Sequence, residues 1–419
     1  MCEKSINSES IDDKSIIDIK IAIIGAGPAG IAASIELSKL GYAEGMIVFD
    51  RENQVAMTSR HCNHQGFGLL EFKRPLTGEA YADKLAQKAA DYNITLKLKH
   101  TLTQIEGDLL TFSSPDGEVC YRAQRILFAM GARETTRPAL LVTGGRSPNI
   151  ITTGALQRFT YIQERKPFNK AVIIGSEVVS FSAIMTAKHA GIEIVGIVEE
   201  DPKIRSFGIL KPLSEYLLKV PVHTGSKLLS INTEDKEVTS VTISKNGSEE
   251  TIACNSVIFS GGFVPESSLL QKYLPDFDTR NYSLPITQHF QTADKRYFLA
   301  GNVIRGALTA FNCYFEGKEA GKQIHASLQA DQSPSTIAIQ ADPAIEWLYP
   351  SLLDIAKEPK HLTRIRFAHP TQGLLRVMLN GKEVMRQNIN AKPHLKITVD
   401  WFNRPVKAGD TLELHYEES

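Results

Sequence analysis

The segment Gly25-Ala26-Gly27-Pro28-Ala29-Gly30 carries the plainest chemistry in the sequence. It follows the apolar run Ile21-Ala22-Ile23-Ile24 and opens a stretch with apolar residues at helical spacing, from Pro28 to Leu40, that Gly41 stops. In such a strand–loop–helix unit, Gly25 permits the tight turn and Gly27 lets backbone approach a pyrophosphate. Gly30 lets helix and strand pack closely. Pro28 and Ala29, within the same loop, are cofactor-binding candidates with the three glycines. Backbone N–H groups and the positive helix end then face the phosphates. Asp50, with Arg51 beside it, closes the next strand (Met46–Asp50), where an acid is placed to accept from a ribose.

The same order recurs about one domain later. Ala171–Gly175 reads as a buried strand, Glu177–Ala190 as a helix ended by Gly191, and Ile192–Val198 as a strand closed by Glu199 and Glu200. Duplication of a whole unit is harder to reach by chance than either loop alone. The second loop, Gly175-Ser176-Glu177-Val178-Val179-Ser180, keeps only its first glycine. Glu177 places bulk and a like charge where backbone would approach a pyrophosphate. Two readings therefore stand: Gly175, Ser176 and Glu199 hold NAD(P), or the second unit is scaffold. If it binds, Glu199 and Glu200 favour a free ribose, and so NAD over NADP.

Further elements position these loops. The pattern predicts a helix over Gly78–Tyr92, a turn at Pro115-Asp116-Gly117 and a strand Ile126–Ala129 ending at Met130-Gly131. A hairpin turn follows at Lys245-Asn246-Gly247, then a strand Val257–Ser260 before Gly261-Gly262. Tyr297–Ala300, Gly301-Asn302 and a helix through Gly321 read as a return to the first unit. The chain thus divides into a disordered lead-in (1–17), a discontinuous first unit (18–140 and 285–330), a second unit (141–284) and a small β-rich tail (331–419). The fold class is α/β, with two dinucleotide-binding Rossmann domains and a β-rich C-terminal domain.

Composition narrows the function. Lys+Arg and Asp+Glu are both 47 over 419 residues, so no net charge argues for nucleic acid or an anionic membrane. No apolar run reaches the length of a membrane span. Cys2, Cys62, Cys120, Cys254 and Cys313 show neither a C-x-x-C pair nor metal-ligand spacing, which fits a reduced, cytoplasmic protein without a metal.

Over 18–328 this pattern resembles the FAD-dependent pyridine nucleotide-disulfide oxidoreductase superfamily, which implies a glutathione-reductase-like pair of Rossmann domains and bound FAD. Met130-Gly131-Ala132-Arg133 sits at the family's linking A-T-G-x loop, with Met130 for threonine. Gly301-Asn302 sits at its second FAD motif, where Asn302 replaces the usual ribitol-binding aspartate but still accepts and donates. The resemblance implies a positive helix end, entered near Ala307-Leu308-Thr309, at the flavin's pyrimidine side. The superfamily's disulfide reductases need paired cysteines that this chain lacks. A narrower resemblance lies in Cys62-Asn63-His64-Gln65-Gly66-Phe67-Gly68 followed by Leu76-Thr77-Gly78. It is similar to the FAD subunits of opine oxidase, hydrogen cyanide synthase and hetero-oligomeric amino-acid dehydrogenases. That likeness implies oxidation of a small amine or amino acid, a partner oxidoreductase subunit and an oligomer.

The resemblance brings His64 and Cys62 near the isoalloxazine. His64 is a candidate base or flavin partner, against the alternative of a loop histidine. Cys62 is a candidate catalytic residue, with a small buried thiol as the plainer reading. Arg60 and Lys73-Arg74 are candidates for a cofactor phosphate or substrate carboxylate, against the plainer reading of a solvated basic face. His189 reads as structural, and Glu316 as a solvent-facing acid beside a core stripe of Phe311, Tyr314 and Phe315. Two other functions stay open: an NAD(P)H-dependent flavoprotein reductase, and a non-catalytic nucleotide-binding assembly subunit.

Overall fold

Strand β1 (Ile16–Ile24) lies parallel between β2 (Met46–Asp50) and β6 (Gly117–Phe128). Covered on both edges and both faces, it presents Ile21, Ala22, Ile23 and Ile24 to the core, which is why its sequence is an unbroken apolar run. The computed structural model describes residues 16–279, 282–357, 362–392, 396–400 and 405–419. Within that range β1 starts earlier than the sequence suggests. Ile16 and Ile17 pair with Cys120 and Tyr121 at the base of the long β6, so only residues 1–15 of the expected lead-in lie outside the described residues.

The first sheet runs β3 (Thr95–Leu98), β2, β1, β6, β5 (Leu109–Ser114), β4 (Thr101–Glu106). The strand Tyr297–Leu299 pairs in parallel with residues 126–128 of β6, so the chain returns to this sheet after building the second unit. Helix α1 (Pro28–Lys39) crosses the long helix Ala310–Ala330, which continues past Gly321. Small residues make that crossing close: a Cβ on Gly317 would stand 2.0 Å from the Ala29 carbonyl oxygen. The short α2 (Met57–Arg60) and the longer α3 (Gly78–Asp91) complete this unit.

In the second unit, Lys170–Ile174 lies parallel between Glu193–Glu199 and Ser256–Phe259, with Val222–Thr224 and Ile150–Thr152 outermost. Helix α4 (Thr153–Gln157) and helix α5 (Val178–His189) cover this sheet. An antiparallel sheet adds the hairpin at Asn246-Gly247, both residues left-handed at φ 51° and 80° as a tight two-residue turn requires.

The tail forms two small sheets around its own apolar cluster, including Ile365, Leu375, Val377 and Leu412. It is docked rather than loose. Trp347 and Tyr349 are buried in the first unit's core, and the Ser351 N–H donates to the Ile286 carbonyl at 3.1 Å. Among the described residues no helix is long and apolar enough to cross a membrane.

Candidate functional site

The first glycine loop is built as its sequence requires. A Cβ on Gly25 would stand 2.3 Å from the Ala129 carbonyl oxygen, and one on Gly30 1.9 Å from the Gly25 carbonyl oxygen. Those two glycines are therefore fixed by the fold itself. Gly27 is different: a Cβ there would meet nothing within 4 Å, and none would at Gly131 across the loop. Gly27 is the N-cap of α1, Pro28 its first residue, and no side chain caps the helix. Its first N–H groups are thus available to an anion.

Asp50 Oδ2 accepts from the Ala26 N–H at 2.6 Å, and Oδ1 from the Glu52 N–H at 2.8 Å. Burial raises this carboxyl above its ordinary value, against the lowering effect of both N–H groups. A cavity of about 390 Å³ opens beside it, lined by Gly25, Asp50, Arg51, Met130, Glu266 and Lys272 among others. Arg51 stands 3.8 Å from Glu266, whose N–H donates to the Gly131 carbonyl at 3.0 Å. Segment 266–272, far along the sequence, thus forms one wall; no motif marks it, so sequence reading missed Glu266 and Lys272.

Gly301 packs on the same loop, since a Cβ on it would stand 2.9 Å from the Ala29 Cβ. Asn302 Oδ1 accepts from the Leu308 N–H at 2.7 Å and from the Cys313 thiol at 3.2 Å. The amide thereby shapes the turn into the long helix, which begins at Ala310 with Thr309 as its cap. Gly25, Gly30, Ala29 and Gly301 are brought together, with Asp50 and Met130 at one end.

Two readings near this turn need correction. Glu316 is not a solvent-facing acid: it is half-buried and forms an ion pair with the buried Arg305. The aromatic stripe is not all core either, because Phe315 is exposed while Tyr314 packs inward.

The loop carrying Cys62 and His64 is clasped at its ends. Phe67 and Leu76 exchange backbone hydrogen bonds, and the Gly78 N–H donates to the Cys62 carbonyl at 3.0 Å. Gly78 must be glycine, because a Cβ would stand 2.0 Å from the Ser59 carbonyl oxygen. Arg60 pairs with Asp83 at 2.7 Å, which ties α2 to α3. Cys62 is half-buried, and burial, followed by the nearby Glu134 charge, pushes its thiol up to about 11. A thiol so held is a poor nucleophile near neutrality. His64 is exposed, stacks on Phe67 at 5.2 Å and has Nδ1 3.2 Å from the Gln65 carbonyl oxygen. Glu134, which sequence reading passed over, accepts from the Gly154 N–H at 2.6 Å and is raised by burial. Its carboxylate so placed serves the start of α4.

The second loop has the same backbone and different contents. Ser176 donates to Glu199, which is buried, and accepts from the Arg205 N–H at 2.9 Å. Glu177 is the N-cap of α5, and its Oε1 accepts from the Gly262 N–H at 2.9 Å.

A family pattern described as pyridine nucleotide-disulphide oxidoreductase matches residues 19–329. The chain belongs to this family. The match covers both Rossmann units and ends before the tail. Among curated relatives, the NAD-dependent dihydropyrimidine dehydrogenase subunit PreT of Escherichia coli (strain K12) is 25% identical over 315 residues, 74% of this chain and 68% of that protein. The sarcosine oxidase subunit alpha of Rhizobium meliloti (strain 1021) is 23% identical over 278 residues, 60% of this chain and 25% of that much longer protein. Among solved structures, the T. acidophilum thioredoxin reductase superposes with a TM-score of 0.59 at 18% identity, covering 74% of this chain and 99% of that one. That likeness places both units in the two-Rossmann-domain flavoprotein fold.

The chain is an FAD-dependent oxidoreductase of this family. Its first unit fits the cofactor, with room at Gly27 and Gly131 and uncapped helix N–H groups between them. All four cysteines among the described residues are free.

Proposed function

We propose that this protein oxidises a small amine or amino acid through FAD held in its first unit, together with a partner subunit. In this reading Gly25, Gly27, Pro28, Ala29 and Gly30 cradle the pyrophosphate, Asp50 accepts from the adenosine ribose, and Arg51 lines the adenosine cavity. Met130, Gly131, Gly301 and Asn302 border the remainder. The bound flavin supplies two-electron chemistry, accepting hydride from the substrate.

The carrying observation is the loop 62–78. It has the family's position beside the first unit, yet offers one half-buried thiol held up at about 11 and an exposed histidine. A family member without a dithiol relay must exchange electrons with its substrate at the flavin itself. His64 is the group free to take a proton from a substrate ammonium, which an amine must lose before hydride leaves its α-carbon. Cys62 instead faces α2 and α4, with its Sγ 3.8 Å from the Thr58 carbonyl oxygen and 3.9 Å from Gln157 Oε1. The sarcosine oxidase subunit named above acts on an amine by its name, and that name and PreT's both describe subunits, which supports a partner here.

A second reading, reduction of the flavin by NAD(P)H, is favoured by the NAD-dependent relative PreT. The test is anaerobic mixing of the FAD-loaded chain with a panel of small secondary amines and amino acids, and separately with NADH. Bleaching of the flavin by a panel member but not by NADH supports the first reading. Bleaching by NADH alone would sink it.

A further inference from the structure

The chain holds one phosphate-binding geometry twice, and comparison of the copies is decisive because backbone and strand order match. Gly25 and Gly175 both sit at positive φ, 114° and 103°, at the ends of equivalent central strands. Gly131 and Gly261 both follow the strand on the other side, with φ 78° and 90°. In the first copy the space over Gly27 and Gly131 is clear of protein atoms to 4 Å. In the second copy Glu177 replaces Gly27, and its side chain crosses that space. A Cβ on Gly261 would stand 2.7 Å from Glu177 Cδ, and Glu177 Oε1 takes the Gly262 N–H.

The sugar end of the second copy is equally engaged. In the first copy Asp50 accepts only backbone N–H groups and faces a cavity. Its equivalent Glu199 accepts from the Ser176 hydroxyl and, at 3.0 Å, from the Asp201 N–H, with Arg205 Nε 3.7 Å away. Arg205 is itself held by Asp201 at 2.8 Å, and its own N–H donates to Ser176 at 2.9 Å. Glu199 is only 4% exposed. Segment 201–205 therefore folds back over the acid that would bind a ribose.

We propose that Glu177 is an internal substitute for a nucleotide pyrophosphate and closes the second unit to NAD(P)(H). Its carboxylate takes the loop N–H that a phosphate oxygen would take. It also leaves a negative charge where two more would have to enter, and like charges repel strongly in a partly desolvated slot. The duplicated unit is then a scaffold that carries α4 and the wall at 264–272. This inference opposes the second reading, reduction by NAD(P)H bound in this unit, and does not depend on which amine reduces the flavin.

The test is equilibrium binding of NADH and of NADPH to the full-length FAD-loaded protein, read by calorimetry and by nicotinamide fluorescence. The wild type is expected to show no saturable binding of either. Glu177→Gly, which restores the second glycine, is expected to bind at least one of the two saturably. Glu177→Gln, which keeps the bulk and the bond to Gly262, is expected to stay closed. An unchanged flavin spectrum in each variant certifies the fold. Saturable binding by the wild type, or a Glu177→Gly variant as blind as the wild type, would overturn the proposal. An amine-bleaching experiment tests the activity separately, since it involves no pyridine nucleotide.

Discussion

The guanidinium carbon of Arg305 lies 5.4 Å from the ring centroid of Trp347, so the β-rich tail is keyed to the turn that follows Gly301 and Asn302. Tyr349 completes the seat at 5.7 Å, and Glu316 on the long helix supplies the counter-charge. A buried cation is costly unless paired and covered. The tail supplies the cover.

Trp347→Ala should therefore cost more than an ordinary tail substitution. Loss of the ring opens the seam over Arg305, and large-to-small changes at such sites cost about 3–5 kcal/mol. Thermal unfolding should occur at lower temperature, and FAD affinity should fall with it, because the loosened turn 305–309 leads into the long helix. Exchange of the exposed Lys382 for Ala, as a control in the tail, should move neither.

Two loop glycines should respond oppositely. Gly30→Ala puts a methyl against the Gly25 carbonyl and should destabilise the chain even without cofactor. Gly27→Ala meets no protein atom, so the apoprotein should keep its stability, while FAD affinity drops at least tenfold, roughly 1.4 kcal/mol. Melting curves of apoprotein and fluorescence titration with FAD separate the two effects.

That pair shows what the sequence carries. The spacing of Gly25, Gly27 and Gly30, with Asp50 one strand later, is a local pattern, and Gly25 and Gly30 stand in the tight contacts that their type suggests. The duplication at Gly175 was legible for the same reason. What escaped was set by long-range packing. Glu266 and Lys272 line the cavity beside Asp50 only because a separate segment is folded onto the first unit. Glu316 read as solvent-facing because nothing in its helix shows that Arg305, from the preceding turn, reaches it. The docking of the tail through Trp347 depended on the same unseen neighbour.

The pH response should centre on Lys396. Burial, followed by the charges of Arg305, Arg364 and Arg366, lowers its ammonium to about 7, below the 10.5 of an exposed lysine. Between those values the unfolded chain binds the extra proton, so stability rises with pH from about 7 to about 10.5. Lys396→Met should raise the melting temperature near pH 7 and flatten that rise. Parallel pH–melting series of the two proteins check the sign.

Cys62 should prove dispensable for chemistry. With its thiol held up at about 11, alkylation near neutral pH should be slow, and Cys62→Ser should retain flavin and turnover. His64→Ala should lower turnover by about 10²-fold or more if His64 is the base, with FAD affinity unchanged. Stopped-flow rates of flavin reduction distinguish the two residues.

The central claim is that one of the two Rossmann units, the first, holds FAD. The most direct measurement is the nucleotide content of the purified protein, released by denaturation and counted against chain concentration after incubation with FAD. The account predicts one FAD per chain, with a lower content in Gly27 variants at the same FAD concentration and no pyridine nucleotide accompanying it. A colourless protein that takes up no FAD would contradict it.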